Sequence, residues 1–161
     1  MKNEYGAELD RAGYAPSIMQ REGRGCANCG RTFGYDMDAK LDRHEPWGAA
    51  NRKKSKEFGM WVSLCHFGCH EGPGSVHDDA ELARQFRKDA QRAAMLRYGW
   101  SREEFIRRFG KSELSTEEAA HIIPKDAGRE YTPVFTEKRY KTVGQSAGGF
   151  RVVAEPVTLP F

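Results

Sequence analysis

The order of apolar and polar positions predicts two short strands in the first half of the chain and helices after them. The segments Leu41 to Trp47 and Met60 to Leu64 are typical of short strands, and the polar stretch Gly48 to Ser55 between them predicts a loop. From Leu82 to Ala94, apolar side chains recur at near-helical spacing among many basic residues. This periodicity predicts a helix from about Ala80 to Tyr98.

Capping residues mark the expected ends of this helix and of a shorter one that follows. Asp78 or Asp79 can accept hydrogen bonds from the free amides of the first turn, and Gly99 ends the long helix. Ser101 is a second N-cap, and the short helix that it begins should end at Gly110. The predicted order is therefore two strands, a long helix and a short helix.

Changes in residue character divide the chain into three segments. Residues 1–24 are mixed and irregular and form an N-terminal lead-in, whereas residues 25–114 contain the predicted strands and helices together with all the cysteines. Residues 115–161 begin with a helical turn, over 115–120, and continue as polar, glycine-rich sequence. The predicted fold class is therefore α+β, with one small domain followed by a partly irregular, loosely attached C-terminal extension.

Length and composition limit the size of the core and the class of protein. The chain has 161 residues, of which 39% are hydrophobic, and its 17 glycines and 7 prolines are typical of a small core. No apolar run approaches the length of a membrane span, so a soluble protein with no membrane partner is expected. The net charge is only +3, but basic residues cluster over 43–56 and 84–111. Such clusters suit a polyphosphate partner, although a solvated helix face has the same composition.

Four cysteines in two pairs are the most specific chemical signal in the chain. Cys26 and Cys29 form a CxxC pair, and Cys65 and Cys69 form the second pair. Four thiolates suit a tetrahedral Zn²⁺ ion, and a closed all-cysteine site is structural because no coordination position stays open. The chain does not begin with an apolar signal peptide, and reduced thiols in pairs are more often metal ligands than disulfides. Structural zinc is therefore predicted, with disulfides or free thiols as the alternatives.

Histidines and an asparagine lie between and just beyond the two cysteine pairs. His44 lies on the first predicted strand, Asn51 in the loop, His70 directly after the last cysteine, and His77 beyond the next turn. Hydrolysis of a phosphodiester requires a base that activates water and a cation that carries charge on the phosphate. Histidine can serve as that base near neutral pH. Singly, each of these residues would be an ordinary surface or core residue, but together, in this order, they indicate a functional site.

This order of strand histidine, loop asparagine, second strand, cysteine pair, histidine and helix resembles the HNH endonuclease family, whose catalytic unit is the ββα-metal motif. The resemblance covers about Gly25 to Leu114 and looks closest to small phage-type HNH proteins in which two zinc knuckles flank the active hairpin. It implies a zinc-stabilised ββα-metal domain followed by helices. The implied activity is hydrolysis of DNA with structural Zn²⁺ and a catalytic Mg²⁺ or another divalent ion. A cytoplasmic location, in a bacterial host or a phage-infected cell, follows from the same resemblance.

The resemblance also assigns roles to residues and leaves one choice open. His44 is either the base or a metal ligand, and in the second case Glu45 stands where the base should be. We expect His44 to be the base, since an exposed carboxylate with a pKa of about 4.3 is a weaker one. His70 and His77, together with the nearby Asp78, are expected to hold the catalytic ion.

The remaining site residues lie on the first strand and in the loop after it. Asn51 is expected to orient the hairpin through its amide. Phosphate contacts would give affinity for DNA without sequence preference. The residues expected to make them, together with the basic face of the predicted long helix, are Arg43, Arg52, Lys53 and Lys54.

Other interpretations of the same residues remain open. With a degenerate site, the fold could be a catalytically inactive module that binds nucleic acid or protein. His66 is expected to have no role. His121 begins a His-Ile-Ile-Pro stretch that matches one strand of an HNH motif, but it lacks the partner residues for a second site. The terminal Phe161 could dock on a protein partner, although an unstructured terminus is the simpler expectation.

Overall fold

The fold combines a two-stranded antiparallel sheet with four α-helices along residues 1–21, 25–30 and 40–122, which are the residues that the computed structural model describes. It is therefore of the α+β type, as predicted. In chain order the elements are β1 (Leu41–His44), α1 (Arg52–Glu57), β2 (Val62–Cys65), α2 (Ala80–Tyr98), α3 (Arg102–Phe109) and α4 (Thr116–Ala120).

The connection between the strands is helical, although its polar composition predicted a loop. β1 ends at His44, Ala49–Asn51 form a 3₁₀ turn, and α1 follows directly. The charged residues of α1 are good helix formers, so a polar stretch of this kind can form a helix once it has one face to bury. Ser55 and Phe58 provide that face, since both are buried, and the Ser55 hydroxyl donates to the Trp47 carbonyl over 2.7 Å.

Strand register decides which side chains of the hairpin can meet. Successive side chains of a strand point to opposite faces, so Asp42 and His44 share one face of β1 and Arg43 lies on the other. The His44 ring faces α2, with its centroid 6.2 Å from that of Phe86. The paired positions are Leu41 with Cys65, Asp42 with Leu64, Arg43 with Ser63, and His44 with Val62.

The two predicted helices begin and end at the expected capping residues. The Asp79 side chain accepts hydrogen bonds from two amides of the first turn of α2, and Gly99 ends the helix with a left-handed φ of 68°. Ser101 caps α3 in the same way, and Gly110 ends it with a φ of 87°. These predictions were confirmed because capping depends on residues that are close in sequence.

Trp47 connects the hairpin to the helices. Its side chain is buried and packs edge-on against Phe105 and Phe109, with centroid distances of 5.1 and 5.7 Å. Its indole N–H donates to the Arg87 carbonyl over 3.0 Å, which joins the end of β1 to α2. The strand end that carries His44 is therefore held against a packed core.

The N-terminal segment lies against the far side of the hairpin. Met19 is fully buried, and the Ile18 amide donates to the Gly59 carbonyl over 2.9 Å. Gly59 has a left-handed φ of 67°, and a Cβ atom there would lie 2.2 Å from the Pro16 carbonyl oxygen. This close backbone approach requires glycine.

The C-terminal extension is described only as far as residue 122. α4 corresponds to the helical turn predicted over 115–120, and it begins with a capping box between Ser115 and Glu118. His121 follows as the residue that ends α4. Phe161 and the rest of the predicted extension lie outside the described residues. Among the described helices, none has the length and apolar character needed to cross a membrane.

Candidate metal centres

The two cysteine pairs converge on one point. One sulfur from each of Cys26, Cys29, Cys65 and Cys69 lies within 4.8 Å of the others, and the Cys29 and Cys65 sulfurs are 3.9 Å apart. Sulfurs around a tetrahedral zinc ion, with bonds of about 2.3 Å, are separated by roughly 3.8 Å. Disulfide sulfurs are separated by only about 2.05 Å. We call these four residues the cysteine cage, which could hold a metal ion such as zinc.

Backbone hydrogen bonds fasten the cysteine cage to the hairpin. The Ala27 amide, inside the first cysteine pair, donates to the Ser63 carbonyl of β2 over 2.8 Å. Cys65 is the last residue of β2, and its carbonyl accepts from the His70 amide over 3.0 Å. The first pair thus docks on the strand that leads into the second pair.

Hydrogen bonds among the sulfurs favour the thiolate form of Cys26 and the protonated form of Cys69. Hydrogen bonds from Cys29 and Cys69 hold the pKa of the Cys26 thiol well below its usual range, and the hydrogen bonds with Cys26 and Cys29 raise the pKa of Cys69. The Asn28 amide nitrogen donates to the Cys69 sulfur over 3.3 Å and acts in the opposite direction. Because the thiolate is the metal ligand, binding of zinc would release the proton that Cys69 donates to Cys26.

Three histidines form a second cluster of potential ligands. One nitrogen from each of His44, His70 and His77 lies within 4.8 Å of the others, and the Nε2 atoms of His70 and His77 are 3.2 Å apart. The ring centroids are separated by 5.5, 5.5 and 4.8 Å. Three imidazoles around a tetrahedral ion, with metal–nitrogen bonds of about 2.0–2.1 Å, would have centroids roughly 5 Å apart. We call these residues the histidine triad, which could hold one divalent ion.

The hairpin and the turn after it position the histidine triad. His44 is the last residue of β1, and His70 directly follows the last cysteine of the cage. The turn that leads to His77 is closed by a hydrogen bond of 2.9 Å from the Val76 amide to the Cys69 carbonyl. The residue that supplies a sulfur to the cage therefore also anchors the turn between two histidines of the triad.

Burial and charge differ across the histidine triad. Burial, together with the neighbouring charges of His70, His77, Arg52 and Arg87, lowers the pKa of His44 to about 3. The His77 side chain is half-exposed. His44 is therefore neutral near pH 7, which is the state that binds metals, and the triad is accessible from the side of His77.

Glu45 lies next to His44 but interacts with other residues. One oxygen of its buried carboxylate accepts a hydrogen bond from the Tyr14 hydroxyl, and the other lies 3.5 Å from Nε of Arg52. Burial, together with the bond to Glu45, raises the pKa of Tyr14. Of the two residues considered for the base, His44 thus lies within the triad, whereas Glu45 binds Tyr14 and Arg52.

Two further residues expected at the site make different contacts. The Asn51 amide nitrogen donates to the Phe109 carbonyl over 3.0 Å, so this residue joins the loop to the end of α3. Asp78 accepts from the Gly74 amide over 2.7 Å and stabilises the turn before His77. Asn51 contacts the backbone of a residue far along the chain, and Asp78 contacts the backbone of the preceding turn. The order of residues alone reveals neither contact.

Arg43 lies on the opposite face of β1 from His44. Its guanidinium is 2.6 Å from the Asp10 carboxylate and stacks over the rings of Tyr14 and Trp61, 4.5 and 4.8 Å from their centroids. Side chains one residue apart on a strand point to opposite faces, so Arg43 does not share a face with His44, and its contact with phosphate stays a prediction.

The other basic residues of the loop lie on α1. The Lys54 ammonium donates to the Arg108 carbonyl and so binds the end of α3. Lys53 is exposed. The Arg52 side chain is 63% exposed, and its charge contributes to the lowered pKa of His44. Arg52 is therefore the best placed of the four predicted phosphate contacts.

Acidic residues beyond α3 neutralise much of the basic face of α2. Glu113 lies 2.9 Å from Arg87, and Glu118 lies 2.7 Å from Lys88 and 3.2 Å from Arg92. These ion pairs join α2 to the segments after α3. Basic residues of α2 thus form ion pairs within the fold, which weakens the expectation that this helix binds DNA.

A third cluster of potential ligands contains Asp42 and His66, for which no role was predicted. Oxygen and nitrogen atoms of Asp42, His66 and His70 lie within 4.8 Å of one another. One carboxylate oxygen of Asp42 contacts Nδ1 of His66 and lies 2.9 Å from Nδ1 of His70. Asp42 precedes His44 by two positions on the same strand face, and this spacing is the one signal that could have revealed it.

Comparisons of the chain with protein-family models, with curated proteins and with solved structures found no significant match. Support for a function of this protein therefore comes from the two candidate metal centres and the order of their residues along the fold.

Proposed function

We propose that this protein is a metal-dependent endonuclease of the HNH type, which hydrolyses phosphodiester bonds in DNA. The observation that carries the proposal is the convergence of His44, His70 and His77 at metal-ligand spacing beside the cysteine cage. The order of the elements supports it, since His44 ends the first strand and the other two histidines lie between the second strand and a long helix. This is the arrangement that a ββα-metal site requires.

In this proposal the cysteine cage holds structural Zn²⁺. Four sulfur ligands complete a tetrahedral shell and exclude substrate, so the ion would act only on stability. The strands that it joins have four residues each, and a hairpin of that size is marginal on its own. Zinc would supply stability that the short sheet lacks.

The catalytic ion, in this proposal, is a transition metal held by the histidine triad. Imidazole nitrogens suit ions such as Zn²⁺ and Ni²⁺, whereas Mg²⁺ prefers oxygen ligands and near-octahedral geometry. A donor set of three histidines therefore fits Mg²⁺ poorly. The bound ion would supply Lewis-acid stabilisation of charge on the phosphate, and we assign His44 to the ligand set because of its spacing from the other two rings.

Phosphate recognition is assigned to an exposed cation whose charge also acts on the triad. Arg52 meets both conditions, and its ion pair with the buried Glu45 limits where its guanidinium can lie. A guanidinium presents several donors in a planar fork that matches phosphate oxygens. Arg52 would therefore contact the backbone next to the scissile bond.

A catalytically inactive module that binds nucleic acid or protein is the second candidate. The observation in its favour is that Glu45 and Asn51, two residues expected in catalysis, are engaged by Tyr14 and Phe109. In such a module, the histidine triad would bind metal without hydrolysing a bond.

The test is a plasmid-nicking assay with Ni²⁺, Co²⁺, Mn²⁺, Mg²⁺ or Zn²⁺ added in turn. His77→Ala should abolish nicking without altering the zinc content, because His77 is half-exposed and lies outside the cysteine cage. His121→Ala is the matched control, since this exposed histidine lies at the end of α4. Absence of nicking by the wild type with all five ions, despite metal binding at the triad, would favour the inactive module.

A further inference from the structure

We infer that Asp42 is a positioning residue for the histidine triad, because its carboxylate holds the His70 ring with the proton on Nδ1 and leaves Nε2 to bind the ion. The two ring nitrogens of His70 face different groups. Nδ1 lies 2.9 Å from the Asp42 carboxylate, and Nε2 lies 3.2 Å from Nε2 of His77. The inference builds on the proposed metal site but concerns the protein before any ion binds.

The chemistry of the two partners decides where the proton lies. An ionised carboxylate can only accept hydrogen bonds, and a neutral imidazole carries one proton. The contact between Asp42 and His70 therefore requires the proton on Nδ1, and the lone pair on Nε2 then points towards His77. A histidine held in this way is already in its ligand tautomer.

Contacts on both carboxylate oxygens hold Asp42 in this position. One oxygen contacts Nδ1 of His66 and lies 2.9 Å from Nδ1 of His70. The Lys40 ammonium lies 3.2 Å from the second carboxylate oxygen. Both oxygens are thus engaged, and the side chain is only 14% exposed, which restricts its rotation.

The hairpin gives Asp42 its position relative to the triad. Asp42 and His44 lie on the same face of β1, and a backbone hydrogen bond of 2.8 Å from the His66 amide to the Lys40 carbonyl extends the pairing past the strand ends. A single strand therefore carries one ligand and the carboxylate that orients a second ligand. Carboxylates in such positions increase the basicity of the coordinating histidine and limit its rotation.

Asp42, His66 and His70 could instead be ligands of an additional ion. His70 would then have to bind that ion through Nδ1 while Nε2 serves the triad, so both ring nitrogens would have to be deprotonated. A separation of 2.9 Å between Asp42 and Nδ1 of His70 is that of an ordinary hydrogen bond. The orienting role is therefore favoured, and the additional ion becomes an outcome of the test.

The experiment compares the wild type with Asp42→Ala, Asp42→Asn and Glu71→Gln, all as full-length protein with zinc in the cysteine cage. Glu71 is the matched control, because its carboxylate lies 4.0 Å from both His70 and His77 and is half-exposed. Long-range ¹H–¹⁵N correlation spectra without added Co²⁺ report the tautomer of His70. Calorimetric titration with Co²⁺ then gives the affinity and the number of ions bound at the histidine clusters.

The wild type should show the Nδ1–H tautomer at His70 and bind one Co²⁺ ion beyond the cage. Asp42→Ala should shift the proton towards Nε2 and weaken Co²⁺ binding by roughly 10- to 100-fold. Asp42→Asn keeps an acceptor oxygen of similar shape, so it should restore part of the affinity. Glu71→Gln should change the affinity by roughly threefold or less, as expected for an exposed ion pair.

Two results would overturn the inference. The first is an unchanged tautomer and Co²⁺ affinity in a folded Asp42 variant, and Asp42→Asn provides this comparison should Asp42→Ala fail to fold. The second is binding of two Co²⁺ ions beyond the cage by the wild type but only one by Asp42→Ala, which would make Asp42 a ligand. Failure of the nuclease proposal appears differently, as a wild type that never nicks DNA although its tautomer and affinities follow the prediction.

Discussion

Replacement of a single cage cysteine tests whether the hairpin depends on zinc. Cys69→Ser is the most informative change, because Cys69 is fully buried and its carbonyl also closes the turn that leads to His77. The variant should bind zinc far more weakly and should unfold at a lower temperature than the wild type. If the cage determines where the turn lies, Co²⁺ binding at the histidine triad should weaken as well.

The expected magnitude follows from the number of ligands. Structural zinc sites bind with an apparent free energy of about 10–16 kcal/mol, so one of four sulfurs contributes about 3 kcal/mol on average. A loss of about 3 kcal/mol corresponds to a roughly 100-fold weaker affinity for zinc. Because the free energy of unfolding of a small domain is only about 5–15 kcal/mol in total, the loss of zinc should remove much of it.

The assay is thermal unfolding by circular dichroism, with and without a strong chelator, together with zinc affinity measured by competition with a chelator. A buried serine hydroxyl has its own cost, of about 1–3 kcal/mol, so the two proteins must also be compared in chelator. Subtracting the difference measured in chelator from the difference measured with zinc leaves the part of the destabilisation that depends on zinc. A wild-type midpoint that chelator leaves unchanged, or a variant with the zinc affinity of the wild type, would refute this account of the cage.

Two further predictions concern positions outside the metal centres. Gly59→Ala should lower the free energy of unfolding by about 3 kcal/mol, since the new Cβ would lie 2.2 Å from the Pro16 carbonyl oxygen at a left-handed φ of 67°. Denaturant unfolding should show this loss, and a variant with the same unfolding midpoint as the wild type would contradict it. Hydrogen bonds from Lys88 and from the Ser115 amide lower the pKa of Glu118 to about 2, so its contribution to stability is present above its ordinary pKa and should disappear as the pH falls from about 4.5 to 2. Thermal midpoints across this range should therefore fall less steeply for Glu118→Gln than for the wild type, and parallel curves would contradict the pairing.

The sequence predicted best those features that depend on neighbouring residues. Helix caps such as Asp79 and Gly99 act on amides within one turn, and both were confirmed. The helix α1 was missed because its polar residues give no apolar periodicity, and its stability depends on burial of Ser55 and Phe58 against distant segments. Tertiary contacts of this kind often override local composition.

The candidate site shows the same division between local and long-range signals. The two cysteines of each pair are close in sequence, and the convergence of the two pairs follows from the ligand geometry of one ion. The face of β1 on which Arg43 lies depends on strand register, and register depends on which face of the hairpin is buried. Asp42 was missed for a related reason, because its partners His66 and His70 reach it only after β2 has paired with β1.

The two metal centres are coupled through the chain segment between Cys65 and His77. This segment supplies two sulfurs to the cage and two nitrogens to the triad, and its turns are closed by hydrogen bonds to the carbonyls of Cys65 and Cys69. A rigid, closed zinc site in the cage would be useful here, because an open site at the triad would need ligands that hold their positions without help from a full coordination shell. The buried cage and the Asp42 carboxylate together would meet that need, since one places the His70 backbone and the other orients its ring.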